Sequence, residues 1–527
     1  MARTTPLTKE DLTPMPNLLA TLMLMLWPVV IWRLFVSLSP GRALIWSLLG
    51  AYLLLPPPPA EFDFPLMPAL DKSSLPNLAI LIVVFFVLPQ RPKLLPDSIL
   101  ARWLLGIMIF SPVLTVFTNG EPLIFTENYV RGLYFQDAIA QPINQFIGII
   151  GFLMARALLR TREDQRDLLL ALAIAGLAYS LPILIEVRLS PQLNNWVYGY
   201  YQHLFSQTIR GNGYRPMVFL YHGIWLAYFV LTALLAALTL WKADTSRTRA
   251  KYLIAAFYLT AVLVLCKTLA TLVYAGAAGL LIVFLTTRAQ VKVAALLALM
   301  MLAYPVLKTT GLVPSDAIIA QAEKVSAERA HSLSFRIENE DILLERAMRK
   351  PLFGWGIWGR NHLHDPTTGL ITSVTDGYWI IVLGVWGWAG YVAQFGLMAL
   401  PIFLVHRELG RIRVADRDSF QHETSFSLID RKQAGPREDR GLSPYLGPLA
   451  LMLGFNMIDM LPNATLTPTT WLIAGTLFGH AERLAQLRKG TETALRRSPM
   501  SRGEEGEEEP QAVVSQQPKP PKRRTIL

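Results

Sequence analysis

The 527-residue chain is 52% hydrophobic and only 17% charged, with a mean hydropathy of +0.36, which excludes an ordinary soluble globule and points to a multi-span membrane protein. Its formal net charge of +11 does not signal nucleic acid, because Lys and Arg gather in short connectors between apolar runs. The single cysteine, Cys266, excludes an internal disulfide and reads as a packed thiol inside an apolar run.

Apolar segments of membrane-crossing length are predicted at about 17–37, 43–56, 76–89, 99–117, 141–159, 168–187, 217–240, 252–266, 269–286, 293–307, 377–404, 445–460 and 464–480. They are apolar all round, as a helix in lipid requires. The expected fold is therefore an all-α, polytopic integral membrane protein with about 12–13 transmembrane helices over residues 1–480. No removable signal peptide is expected ahead of the first span. Residues 481–527 are expected to form a disordered cytoplasmic tail, with an acidic run at 504–509 followed by Lys519, Lys522, Arg523 and Arg524.

Orientation follows from the basic connectors. Segments 89–97, 160–167, 241–251 and 287–292 are rich in Lys and Arg and belong in the cytoplasm. Segments 57–76 and 118–141 carry only Lys72 and Arg131 and belong on the other side. Alternation then places loops 190–216 and 308–376 outside and loop 406–441 inside. The start is awkward, since strict alternation puts Arg3 and Lys9 outside; a hairpin or re-entrant start would repair it. Lys267 marks the turn of an outer-face hairpin.

The first outer loop has no Asp or Glu but carries Arg210 and Arg215 among Trp196, Tyr198, Tyr200, Tyr201, Phe205 and Tyr214. Arginine's planar fork suits phosphate oxygens. The aromatic rings suit either sugar stacking or an interfacial belt. Pro216 reads as a helix start, which sets Arg215 beside a helix N-terminus where an anion is favoured, with His222 further in. The second outer loop is expected to bear an amphipathic helix at 333–350, apolar at Phe335, Ile337, Ile342, Leu344 and Met348 and ended by Pro351. Its expected i,i+4 pairs are Arg336–Glu340 and Glu345–Arg349. Gly354-Trp355-Gly356 then makes a tight turn. His362, His364, Asp365 and Asp376 follow; they are too scattered for a metal set, but any one would serve as an acid or base. Asp376 directly precedes a span and is held at fixed depth. Asn463-Ala464-Thr465 matches a glycosylation sequon in a short connector.

The run Arg336…Arg346-Ala347…Pro351-Leu352-Phe353-Gly354-Trp355-Gly356, then Asp376-Gly377-Tyr378-Trp379 and Gly384…Gly387-Trp388…Gly390-Tyr391, resembles the O-antigen ligase and O-antigen/exopolysaccharide polymerase superfamily. The segment from Arg215 to Gly223 is similar to the family's middle-loop arginine region. The resemblance implies a bacterial inner-membrane glycosyltransferase without metal or other cofactor. Its donor would be an undecaprenyl-pyrophosphate-linked oligosaccharide and its acceptor a growing glycan, with a flippase and a chain-length regulator as partners. It implies that Arg215 and Arg336, with Arg210, hold the pyrophosphate, and that Tyr214, His222, Trp355 and Tyr378 line the glycan. The family usually has His where this chain has Asp376, so either Asp376 replaces it or His364 takes the role of base. Two alternatives stand beside a polymerase: ligase-type transfer to a lipid A core or protein, and a lipid-oligosaccharide flippase or other transporter. Charges at span ends and the lack of a visible repeat favour the enzyme. Asp376 in place of His and the 406–441 insert favour an exopolysaccharide polymerase.

Overall fold

The computed structural model describes residues 15–64, 67–211, 213–324, 327–422 and 442–497. Among them the chain is helical apart from small bridges and a two-stranded hairpin, β1 (Leu123–Ile124) with β2 (Tyr129–Val130). In order the helices are α1 (Leu18–Ser37), α2 (Pro40–Leu54), α3 (Ser74–Val87), α4 (Ile99–Phe117), α5 (Phe135–Leu158), α6 (Arg162–Leu189) and the short α7 (Leu193–Tyr198). Then come α8 (Gly223–Ala243), α9 (Ala250–Leu265), α10 (Leu269–Phe284), α11 (Thr287–Thr309), α12 (Ser315–Glu323) and α13 (Ala327–Met348). The last three are α14 (Tyr378–His422), α15 (Leu446–Asp459) and α16 (Pro468–Arg497).

Each predicted span falls on one helix. Seven helices (α1, α4, α5, α6, α8, α11 and α14 through Arg411) are long and apolar enough to cross a membrane. Helices α3, α9, α10 and α15 are apolar but shorter. The protein is an all-α membrane protein.

Several connectors between the helices are tied to one another. Lys72 Nζ donates to Phe219 O (2.7 Å), Arg360 Nη1 to Arg131 O (2.9 Å) and Lys267 Nζ to Arg210 O (2.8 Å). At or beside the basic connectors, Arg156 pairs with Glu482 (2.5 Å), Arg42 with Asp167 (2.7 Å), and Lys242 Nζ donates to Leu285 O (2.8 Å). Helix α1 is one continuous helix with no hairpin inside it, and Asn17 at its start donates to Val197 O and Tyr198 O; residues 1–14, where a re-entrant start would fall, lie outside the described residues.

Two more boundaries move. Helix α16 runs through position 480 to Arg497, so residues 481–497 are helical and not a disordered tail; the compact unit itself ends at Arg483, and 498–527 lie outside the described residues. Helix α14 carries the chain to His422, so the expected loop 406–441 begins as helix, and 423–441 lie outside the described residues.

The glycine-rich motif is a backbone seam. Helix α14 breaks at Gly387 (φ 62°), and segment 351–356 crosses the break. Trp388 N donates to Pro351 O (2.7 Å) and Ala389 N to Leu352 O (3.1 Å). In return Trp355 N and Gly356 N donate to Gly384 O and Val385 O, both at 2.9 Å. The groups freed by the break are thus satisfied by protein, as the apolar surroundings demand. A Cβ at Gly387 would lie 2.5 Å from Leu352 O, and one at Gly354 (φ 69°) 2.5 Å from Val385 O.

Gly387→Ala and Gly354→Ala should therefore each destabilise the protein, by roughly 2 kcal/mol or more from left-handed strain and contact combined. Gly106→Ala on α4, where an added Cβ meets nothing within 4 Å, should be neutral or slightly stabilising. Thermal melts of the three variants in detergent check the ranking.

Candidate functional site: a cationic cradle

The cradle starts with a small turn after α7. Arg210 N donates to Gly213 O (2.9 Å) and Arg215 N to Thr208 O (2.7 Å), so Arg210 and Arg215 stand on one hairpin. Lys267, at the α9–α10 turn with φ 51°, braces this hairpin through the Arg210 carbonyl. Lys267 is a hairpin-turn residue, as its place in the sequence suggested.

Pro216 does not start a helix. Helix α8 begins at Gly223, with His222 as N-cap; His222 Nδ1 accepts from Ile224 N (3.0 Å). Between Arg215 and His222 the backbone is irregular and mostly buried, and its polar groups are met by distant side chains. Glu186 Oε2 accepts from Met217 N (2.7 Å) and Val218 N (2.8 Å). Gln202 Nε2 donates to Val218 O (2.9 Å) and Leu220 O (3.1 Å). Phe219 N donates to the Tyr179 hydroxyl (3.2 Å), and Phe219 O accepts from Lys72. Val218 is held at φ 54°, a strained geometry for a β-branched residue. This path brings Arg215 back onto the N-terminus of α8 after all: a Cβ at Gly223 would lie 2.4 Å from Arg215 Cδ. Only glycine leaves room for that guanidinium.

From the second loop comes α13. Arg336, well inside this helix, pairs with Asp376 (Nε to Oδ2, 3.3 Å) and not with Glu340. The Glu345–Arg349 pair forms as expected (2.9 Å). The buried face of α13 is Asn339, Glu340, Leu343, Leu344 and Ala347; of the expected apolar residues Leu344 is buried, Ile337 and Met348 are half-buried, and Phe335 and Ile342 are exposed. Glu340 turns inward because Trp379 Nε1 (3.3 Å) and the Tyr304 hydroxyl (3.2 Å) donate to it.

Arg210 and Arg336 each lie within electrostatic reach of both Arg215 and His222, and Arg215 within reach of His222. Arg215 is 8% exposed, donates Nη2 to Lys267 O (3.3 Å), and has an enclosed Nε with no partner. Burial, then Arg210 and Arg336, lower its pKa to about 10, so it stays charged. Burial, then His203 and the same arginines, lower the His222 pKa to about 3, so it is neutral. With Nδ1 accepting, its proton sits on Nε2. Among the described residues no carboxylate pairs with Arg210 or Arg215; Asp376 on Arg336 is the one acid in direct contact with the arginine set. A buried guanidinium with a spare donor, Arg215, beside the more exposed Arg210 and Arg336 makes a site for an anion.

The other expected site residues divide. Tyr214 lies on the hairpin beside Phe205. His364 lies elsewhere: its ring rests on Phe125 (5.2 Å), and burial, then Arg346 and His362, lower its pKa. Trp355 is built into the seam; its indole N–H donates to Arg346 O (2.7 Å), and the Arg346 guanidinium covers its ring at 3.5 Å. The Tyr378 hydroxyl accepts from Gln394 Nε2 (2.6 Å), inside the bundle. Neither therefore presents itself to the cradle. The sequon residue Asn463 is buried and donates to Asp459 (2.9 Å). Among the described residues no group of three or more His, Cys, Asp or Glu side chains could hold a metal ion.

Sequence reasoning missed His203, Glu340 and the bracing roles of Lys72, Gln202 and Glu186. A signal existed for two of them: Lys72 is the lone base in its loop, and Glu186 is a carboxylate at the end of an apolar run. No family model matches the chain, and the search of curated proteins found no match.

Burial raises the Glu340 pKa to about 7. The folded state then holds a proton that the unfolded state has lost, between about pH 4.5 and 7. Stability should fall as pH rises across that window. Glu340→Gln should remove this slope, which melting temperatures at pH 5 and 7.5 would show.

Proposed function

We propose that the protein is a metal-independent, inverting glycosyltransferase of the polysaccharide polymerase or ligase type. It acts on a lipid-pyrophosphate-linked glycan at the outer face of a bacterial inner membrane. The observation that carries the proposal is the convergence of Arg210 and Arg215 from one loop with Arg336 from another, with Asp376 in contact with Arg336. The resemblance of the 336–391 run to the O-antigen ligase and polymerase superfamily supports the same reading.

In this mechanism Arg215, Arg336 and Arg210 bind the pyrophosphate. Its oxygens compete with Asp376 for Arg336, so donor binding releases the carboxylate beside the reacting centre. The acceptor hydroxyl oxygen attacks the anomeric carbon. The bond from that carbon to the pyrophosphate oxygen breaks, and its electron pair leaves with the pyrophosphate. The hydroxyl proton passes to Asp376. One displacement inverts the anomeric centre, and preplaced guanidinium groups stabilise the departing charge. His222, neutral and at the rim of the same group, offers an Nε2–H donor to a sugar or phosphate oxygen. His364 is not used as base, because its neighbours are Arg346, His362 and Arg360 rather than the cradle arginines. Polymerase and ligase share this chemistry and differ in the acceptor.

Arg215→Lys should lose nearly as much transfer as Arg215→Ala, since a point charge does not replace a forked contact. Asp376→Asn should abolish transfer while leaving membrane abundance and donor binding intact, and His364→Ala should be mild. An assay with purified lipid-linked donor measures all three; a fully active Asp376→Asn enzyme contradicts the assignment. Turnover should also survive EDTA, and loss rescued by one divalent cation would overturn the metal-free scheme.

A further inference from the structure

At the opposite end of the bundle, a cleft of about 260 Å³ opens where α11 begins and the membrane-crossing part of α14 ends. Thr286, Arg288, Lys292, His406 and Gly410 line it. Three of these side chains are basic types, they come from two helices, and no acid is among the lining residues. Glu408, between the lining residues His406 and Gly410 on α14, is held by Arg407 (3.2 Å) and Arg411 (3.1 Å). Arg288 Nε is enclosed and has no hydrogen-bond partner. Thr286 caps α11 through Ala289 N (3.4 Å), so the first turn of that helix also faces the cleft.

We infer that this cleft binds a phosphate-bearing anion, with an anionic phospholipid headgroup as its source. A forked guanidinium, an ammonium and an imidazole around one cavity match phosphate oxygens in number and charge. The cleft joins the ends of two membrane-crossing helices in the set of basic connectors, the level at which lipid phosphates lie. The volume falls just under the ~300–1,000 Å³ of small-ligand pockets, room for a headgroup rather than a glycan. The site shares no residue with the cationic cradle and stands whether or not the glycosyltransferase reading does.

The test uses the full chain in detergent, with native mass spectrometry and added phosphatidylglycerol or phosphatidylcholine. Wild type should retain phosphatidylglycerol selectively. Arg288→Gln combined with Lys292→Gln should weaken that retention about ten-fold or more, the worth of one charge-assisted hydrogen bond. Arg288→Lys should keep part of it. If the double variant does not purify, the single Lys292→Gln change at an exposed position gives the same readout. Inorganic phosphate is the second arm. Failure of phosphate to displace the lipid supports the headgroup, and full displacement at millimolar concentration assigns the cleft to a soluble phosphate compound. Equal retention of both lipids, or of phosphatidylglycerol by wild type and double variant alike, overturns the inference.

Discussion

An irregular stretch of backbone inside an apolar bundle is possible only if its N–H and C=O groups find partners there. Segment 216–222 meets that condition through Glu186. One carboxylate takes the N–H groups of Met217 and Val218 with Oε2 and that of Leu193 with Oε1. Each such group left unpaired would cost ~1–3 kcal/mol, so removing this one side chain would unsettle three donors together. The energy so gained holds Val218 in a left-handed conformation and delays the start of α8 to Gly223. That delay makes the space into which Arg215 folds. The position of the cradle's most buried charge thus depends on a residue that never touches it.

The same logic recurs at α14. A helix broken in an apolar environment needs replacement hydrogen bonds, and segment 351–356 supplies them at Gly384–Ala389 by backbone alone. Because the seam is backbone to backbone, side chains cannot intervene at Gly354 or Gly387. The seam fixes the C-terminal end of α13 against α14. At the α14 start, Tyr378 N donates to Met460 O (2.9 Å), which ties the residues after Asp376 to the α15–α16 turn. The helix that carries Arg336 and the residues after Asp376 are each anchored by backbone contacts, and the two side chains meet at 3.3 Å.

Span positions were legible in the sequence because they depend on local composition. Helix α4 begins and ends where the apolar run does, with Ser98 as its N-cap. The start of α8 was not legible: Pro216 is a genuine local start signal, and a carboxylate from α6 overrides it. The buried face of α13 was not legible either. In a membrane protein, apolar side chains such as Phe335 and Ile342 need not pack on protein, so periodicity does not tell inside from outside. Arg210, Arg215 and Arg336 were visible singly as arginines in two connecting segments. Their convergence, and the pairing of Asp376 with Arg336 in place of Glu340, are tertiary facts with no local signature. Trp355 and Tyr378 were singled out as aromatic residues near the motif, but Trp355 serves the structural seam and Tyr378 a hydrogen bond from Gln394.

The most direct test of the account is a structure of the protein bound to an undecaprenyl-pyrophosphate-linked donor, determined by cryo-electron microscopy. The account predicts pyrophosphate density within hydrogen-bond distance of Arg215 and Arg336, with Asp376 displaced from Arg336 and turned towards the anomeric carbon. Pyrophosphate bound instead beside Arg346, Arg360 and His364, with the Arg336–Asp376 pair intact, would contradict it.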